Sequence, residues 1–101
     1  MTYSRTDNEQ TTVFCVRGEL DALSANELRP VLDRLVSDGR LDVTVDLAEL
    51  SLIDSSGVGA LVALYKRVRA AGGVVRFVGV TAQPLMIFKL LRLDMVFGLT
   101  G

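Results

Sequence analysis

The alternation of strand-like and helix-like segments is the feature that most constrains this chain. From residue 12 to residue 93, short runs rich in β-branched and aromatic residues alternate with longer stretches whose apolar residues recur every three or four positions. A strand that leads through a helix to the next strand favours parallel pairing with right-handed crossovers. The order β-β-α-β-α-β-α therefore predicts an α/β fold built on a mixed sheet.

Four strands are predicted, and they cover residues 3–9, 12–17, 41–47 and 74–80. The first is polar and mildly alternating, which favours an antiparallel strand at the edge of the sheet. The last is a nearly continuous apolar run, which is typical of an inner or well-covered strand. Residues 18–21, Gly-Glu-Leu-Asp, are predicted to form a loop after the second strand.

The first predicted helix has a capping-box pattern, with Ser24 as the N-cap and Glu27 three residues later. Pro30 conflicts with this start, because an interior proline removes a backbone donor. Either the helix begins nearer Asn26, with Pro30 in its first turn, or it bends at the proline. Residues 37–39, Ser-Asp-Gly, are predicted to end it.

Two further helices follow. The second is predicted from about residue 56 to residue 71, and Gly72 and Gly73 end it. The third opens with Pro84 at its first position and continues through residues 85–93, which are apolar nearly all round. The fold prediction is thus one domain over residues 1–101, a four-stranded mixed sheet with three main helices packed on it.

Composition excludes several classes of function. The 11 basic and 12 acidic residues give a net charge of −1 with no block of like charge, so nucleic-acid binding has no electrostatic support. Histidine is absent, which removes Ser-His-Asp and Cys-His catalysis and His-ligated metal sites. The single cysteine, Cys15, forms no internal disulfide and is predicted to be a buried structural thiol. No metal and no cofactor is predicted.

Hydropathy favours a cytoplasmic protein. The longest nearly apolar stretch, residues 58–65, is far shorter than the ~20 residues that span a bilayer. Residues 1–5 are polar and lack the pattern of a signal peptide. We therefore expect no stable membrane insertion.

Residues 54–59, Asp-Ser-Ser-Gly-Val-Gly, form the candidate functional turn, because functional groups gather where strands end and helices begin in open α/β sheets. One interpretation is a helix cap, since Asp and Ser are favoured N-caps. A dinucleotide-binding loop is disfavoured, because Val62 occupies the third glycine position and Gly79 stands where an acidic residue is needed.

A modification site is the other interpretation of this turn. Ser55 and Ser56 can accept a phosphoryl group, which adds about −1.5 to −2 charges beside a helix N-terminus that tolerates them. Phosphorylation would then act on a partner covering the turn rather than on the fold. A serine hydrolase is disfavoured, because the chain has no histidine base and no Gly-x-Ser-x-Gly motif.

Three motifs together resemble the STAS domain: residues 18–21, residues 54–59, and the Gly-Gly pair at 72–73 before a strand. More narrowly, the chain resembles free-standing anti-sigma factor antagonists of bacterial sporulation and stress-response regulation. The resemblance covers nearly the whole chain. The first two motifs are specific as a pair, whereas either alone is weak.

The resemblance implies partner switching in transcription regulation. The unphosphorylated domain binds an anti-sigma factor that is also a serine protein kinase, and so frees the sigma factor. Phosphorylation at Ser55, or alternatively at Ser56, switches binding off until a serine phosphatase resets it. Asp21 corresponds to the aspartate of the family's first motif, which supports kinase recognition. The domain is then a kinase substrate rather than an enzyme.

The residues themselves agree with this assignment. Asp21 ends the loop after one predicted strand and Asp54 lies in the turn after another, and neighbouring parallel strands would bring both to the same edge of the sheet. Gly57 and Gly59 lack side chains, so a partner backbone could approach closely there. We therefore assign partner binding and kinase recognition to Asp21, Asp54, Ser56, Gly57 and Gly59.

Two other functions are open to a STAS domain. It could be an accessory subunit of a membrane lipid or solute transporter, or a nucleotide sensor whose turn at residues 54–59 holds a phosphate. The chain departs from the family pattern at Leu91 and Arg92, where a hydroxyl-glycine pair is common. Leu85 and Met86 are apolar where polar residues would be unsurprising, which predicts either a broader buried face or an exposed patch for weak self-association.

Overall fold

The computed structural model describes residues 1–99. Its strands are β1 (Thr2–Asp7), β2 (Thr11–Leu20), β3 (Asp42–Asp46), β4 (Leu50–Ile53) and β5 (Val74–Val78). Its helices are α1 (Ala22–Ser37), α2 (Ser55–Ala70), α3 (Ala82–Leu90) and α4 (Leu93–Val96).

The sheet confirms the predicted α/β class and its mixed pairing. Strand β1 is antiparallel to β2, whereas β3 is parallel to both β2 and β5, and the strands follow the order β1-β2-β3-β5. The structure adds the short strand β4, which pairs in parallel with residues 18–20 at the end of β2. Four residues are too few to show a strand period of their own, so the sequence pattern does not predict this strand.

Two strand predictions are wrong in detail. Residues 18–20 are not a loop, because β2 continues through them after a register shift between Gly18 and Glu19. Gly18 has φ +90°, a conformation that glycine adopts without a steric penalty. Strand β5 is not an inner strand, since it lies at one end of the strand order and its residues alternate between exposed and buried.

The core lies on the face of the sheet that α1 and α2 cover. Along β2 the even-numbered residues from Thr12 to Val16 are buried, while the odd-numbered ones are only half-buried. This period of two is the ordinary alternation of side chains along a strand. Cys15 falls on the less buried side, so the prediction of a buried thiol is wrong.

Helix α1 begins one turn earlier than predicted. Its N-cap is Asp21, and Ser24 is instead the third helical residue, which completes the capping box from the other side. Pro30 therefore lies in the helix interior, where it cannot donate a hydrogen bond to the carbonyl of Asn26. The interpretation that placed Pro30 in the first turn is wrong.

The predicted ends of α1 and α2 are confirmed. Gly39 and Gly72 follow the two helices in the left-handed conformation, with φ +73° and +90°. At the end of α2, the Gly72 and Gly73 amides donate to the carbonyls of Arg69 and Val68, the pattern of a Schellman motif.

Helix α3 differs from its prediction at both ends. It begins at Ala82 with Thr81 as the N-cap, so Pro84 is the third helical residue rather than the first. It ends where Arg92 takes a left-handed conformation, with φ +58°, and the short helix α4 then begins. A non-glycine residue in this conformation costs roughly 1–2 kcal/mol.

Candidate functional site

Paired strand ends place Asp21 and Asp54 together. Leu20, the last residue of β2, pairs in parallel with Ile53, the last residue of β4. The Asp54 amide also donates to the Leu20 carbonyl, with an N–O distance of 3.1 Å. Each aspartate directly follows one of these paired residues, so the expectation that both lie at the same edge is confirmed.

Asp54 caps helix α2, as the cap interpretation predicts. Its backbone is extended, with φ −109° and ψ −175°. Its Oδ1 accepts hydrogen bonds from the amides of Ser56, at 2.9 Å, and Gly57, at 3.1 Å. Two of the unpaired amides at the helix start are thereby satisfied by one carboxylate oxygen.

Ser55 is the first residue of α2 and is exposed, whereas Ser56 is half-buried. Within the part of the chain that the structure describes, neither serine hydroxyl has a hydrogen-bond partner. The guanidinium of Arg29 on α1 approaches Ser56, with its Nη2 at 3.5 Å from the Ser56 carbonyl oxygen. Both hydroxyls are therefore unbonded within residues 1–99, and that of Ser55 is the more accessible to solvent.

Asp21 forms a reciprocal cap at the start of α1. Its Oδ1 accepts from the Ser24 amide at 3.0 Å, and its own amide donates to the Ser24 hydroxyl oxygen at 2.9 Å. The hydrogen bond from the Ser24 amide, with that from the Ser24 hydroxyl, lowers the pKa of the Asp21 carboxyl below its ordinary value. The side chain is nevertheless exposed and carries its charge beside the candidate turn.

Gly57 is buried, which corrects the expectation that a partner backbone could approach it. A Cβ at this position would lie 2.8 Å from the Leu20 carbonyl oxygen and from Cγ1 of Ile53. Glycine is needed here because α2 packs directly on the ends of β2 and β4. Gly59 is half-buried, and the nearest atom to a Cβ there would be Nη2 of Arg29 at 3.4 Å.

Gln83 is a contact of this turn that sequence reasoning missed. Its Oε1 accepts from the Ile53 amide and its Nε2 donates to the Ile53 carbonyl, both at 2.9 Å. Arg29 was missed as well. Both contacts join segments about 30 residues apart, and no local pattern indicates such a pairing.

The surface of α3 is partly apolar. Leu85 is half-buried, but Met86 is 63 % exposed and Leu90 is 76 % exposed, so α3 does not bury a broad apolar face at these two positions. Self-association through Leu85 and Met86 stays a prediction. Strictly monomeric sedimentation at high concentration, unchanged by Leu85→Glu with Met86→Glu, would contradict it.

Two further findings concern residues 1–99. None of the helices in this range combines the length and apolar character needed to cross a membrane. Nor does this range bring three His, Cys, Asp or Glu side chains together as a candidate metal site.

Comparisons with known proteins agree with this architecture. Residues 3–100 match the model of the STAS domain family. The chain is 28 % identical over 94 residues to an anti-sigma-B factor antagonist of Bacillus subtilis, covering 93 % of this chain and 85 % of that protein. It is 32 % identical over 75 residues to one of Staphylococcus aureus, covering 74 % and 69 %.

Solved structures show the same likeness. The crystal structure of an anti-sigma factor antagonist from Mycobacterium paratuberculosis superposes with a TM-score of 0.82 at 25 % identity. The match covers 95 % of this chain and 81 % of that one. The two sequence relatives and this solved structure are all named as anti-sigma factor antagonists.

Proposed function

The chain belongs to the STAS domain family, and we propose that it is an anti-sigma factor antagonist whose binding is switched off by phosphorylation of Ser55. In this proposal the unphosphorylated domain binds an anti-sigma factor that is also a serine kinase, and the sigma factor is released. The domain acts by binding rather than by catalysis, and its place of action is the cytoplasm. The relatives named as anti-sigma-B factor antagonists support the proposal.

The single observation that carries the proposal is the state of the Ser55 hydroxyl. It is exposed at the first position of α2, and no hydrogen bond within residues 1–99 occupies it. Ser56 is the alternative acceptor, but it is half-buried beside Arg29. A kinase can therefore reach Ser55 without displacing another part of the domain.

Phosphoryl transfer would form a bond between Ser55 Oγ and the γ-phosphorus of ATP, break the bond to ADP, and release the hydroxyl proton to a base on the kinase. The product adds about −1.5 to −2 charges at the N-terminus of α2, where the helix dipole favours negative charge. The fold should tolerate the change. The loss of affinity arises at the partner surface, and ~3 kcal/mol there is roughly a hundredfold in affinity.

The proposed surface for partner binding and kinase recognition lies around Ser55. It comprises Asp21, Asp54, Ser56 and Gly59. Asp21 is exposed next to the turn, so it can pair with a cation of the kinase. Gly57 is not part of this surface, because it is buried against β2 and β4. A serine phosphatase would act on the same turn to restore binding.

The test is intact-mass measurement after incubation with ATP and each candidate anti-sigma kinase of the source organism, for wild type and Ser55→Ala. We expect one added phosphate on wild type and none on the variant. One phosphate on both proteins would move the site, with Ser56 next to be replaced. If wild type neither gained a phosphate nor bound any of the kinases, the proposal would be overturned.

Binding measurements complete the test. Ser55→Ala should bind the anti-sigma factor whether or not ATP is present, while Ser55→Asp should bind more weakly than wild type. One carboxylate has less charge than phosphate, so its effect should be the smaller. If Ser55→Asp bound as tightly as wild type while the phosphorylated protein did not, the size of the phosphate rather than its charge would be responsible.

A further inference from the structure

The last residue of β4 has its backbone polar groups on the side of the strand that faces away from β2. The Asp54 amide donates to the Leu20 carbonyl of β2, and successive residues of a strand direct their amides to opposite sides. The amide and carbonyl of Ile53 therefore point outward, away from the pairing with β2. Ile53 is only 1 % exposed, so water cannot readily satisfy these groups.

Gln83 satisfies both of them. A side-chain amide has one acceptor and a donor in the same plane, so it can pair with the amide and carbonyl of one residue as a neighbouring strand does. The two hydrogen bonds, each 2.9 Å long, lie directly before Asp54. The turn that begins at Asp54 is thus fixed by β2 on one side and by α3 on the other.

We infer that Gln83 is a positioning residue that couples helix α3 to the phosphoacceptor turn, so that the orientation of Ser55 depends on where α3 lies. The inference for phosphorylation rests on the proposed function, whereas the coupling of α3 to the turn does not. Gln83 touches neither Ser55 nor the transferred phosphoryl group. It acts through Ile53 and Asp54, the two residues before Ser55.

The surroundings of α3 show why this contact matters. Thr81, the N-cap of α3, makes no side-chain hydrogen bond to the helix, and Met86 and Leu90 are largely exposed. Gln83 and the buried Pro84 join the first turn of α3 to the rest of the domain, and the fully buried Phe88 anchors the following turn. A partner that moved α3 would change the support of the turn through this pair of hydrogen bonds.

The first test needs no partner. Amide hydrogen exchange is measured by NMR for wild type, Gln83→Met and the matched control Gln10→Met, which changes the same side chain in an exposed turn. In Gln83→Met, we expect the Ser56 and Gly57 amides to exchange about tenfold faster. The Val45 amide, in the middle of β3, reports global unfolding. If Ser56 and Gly57 accelerate no more than Val45, the coupling is overturned.

Gln83→Glu protects the test against loss of the fold. It keeps the shape of the side chain and an acceptor for the Ile53 amide, but it places a carboxylate oxygen against the Ile53 carbonyl. We expect the same acceleration at Ser56 and Gly57. Exchange at the wild-type rate in this variant would equally overturn the coupling.

The second test measures phosphorylation kinetics with the kinase that modifies wild type. A loosened turn lowers the fraction of time that the Ser55 hydroxyl spends in a geometry that can react. Misplacing a reacting group by one ångström can lower the reaction rate about a hundredfold. We expect Gln83→Met to lower kcat about tenfold and leave KM within about twofold. Wild-type kcat would overturn the positioning role while the proposed function stands. If wild type itself is not phosphorylated, the proposed function fails and hydrogen exchange still decides the coupling.

Discussion

Helices α1 and α2 begin in the same way but commit their serines differently. Each has an aspartate N-cap in extended backbone, directly after one of two paired strand residues. At α1 the third helical residue is Ser24, whose hydroxyl oxygen accepts a hydrogen bond from the amide of the N-cap Asp21. Ser24 is only 8 % exposed. At α2 the third residue is Gly57, and the hydroxyl of Ser55 is left exposed.

The difference separates a serine whose hydroxyl is part of a helix cap from one whose hydroxyl is exposed and unbonded within residues 1–99. Ser24 is fixed by hydrogen bonds with Asp21 at both the backbone and the carboxylate. At α2 the Asp54 carboxylate accepts from two helix amides, those of Ser56 and Gly57, without the help of a serine hydroxyl. A free hydroxyl at a helix start is therefore compatible with a stable helix, provided that the N-cap accepts more than one amide.

Gly57→Ala should produce the largest loss of stability. It adds a Cβ at the third residue of α2, the position that Ser24 occupies in α1. That Cβ would lie 2.8 Å from the Leu20 carbonyl oxygen, a backbone atom that cannot move alone. We expect a loss of about 2 kcal/mol in the free energy of unfolding, within the range for overpacked sites. Urea unfolding followed by circular dichroism measures it.

Gly59→Ala is the matched control on the same helix. The nearest atom to its added Cβ belongs to the flexible side chain of Arg29, at 3.4 Å. Replacing a helical glycine by alanine should stabilise the domain by about 0.5–1 kcal/mol. Equal effects from the two substitutions would show that close packing does not distinguish Gly57.

Alanine substitutions compare the stabilising contributions of the two serines directly. Ser24→Ala removes a hydroxyl that closes the cap of α1, and should cost about 1 kcal/mol. Ser55→Ala removes a hydroxyl with no partner within the described residues, and should change stability by less than about 0.5 kcal/mol. Thermal unfolding of both variants measures the difference. Equal losses would mean that Ser55 has a structural role.

The position of the two aspartates was accessible from the sequence, but the different roles of the two serines were not. The Asp-Ser-Ser-Gly turn predicted the cap at Asp54, and parallel pairing predicted that Asp21 lies beside it. The assignment of the cap at α1 failed because Ser24 and Asp21 are both good N-caps three residues apart. The local sequence cannot decide which of two residues is the N-cap when either one can form a capping box with the residue three positions later.

Contacts between distant segments were beyond sequence reasoning. Strand β4 has only four residues, and its pairing with β2 follows from how the chain returns after β3. The buried environment of Gly57 depends on that pairing, as does the place of Gln83. The sequence pattern indicated that glycine matters at this turn, but tertiary packing determines why.

The smallest effect, and the sharpest test of the cap at α1, is the titration of Asp21. Hydrogen bonds from the Ser24 amide and hydroxyl favour the charged carboxylate, so its pKa in the folded protein should lie below the ~3.9 of an unfolded chain. The stability that this charge contributes is then present above pH ~4 and is lost as pH falls through the lower, folded pKa.

Carboxyl NMR titration of wild type, Ser24→Ala and Ser55→Ala measures the shift. Ser24→Ala should raise the pKa only in part, because the backbone amide still donates, and Ser55→Ala should leave it unchanged. An Asp21 pKa that ignores Ser24 but responds to Ser55 would reverse the roles assigned to the two serines.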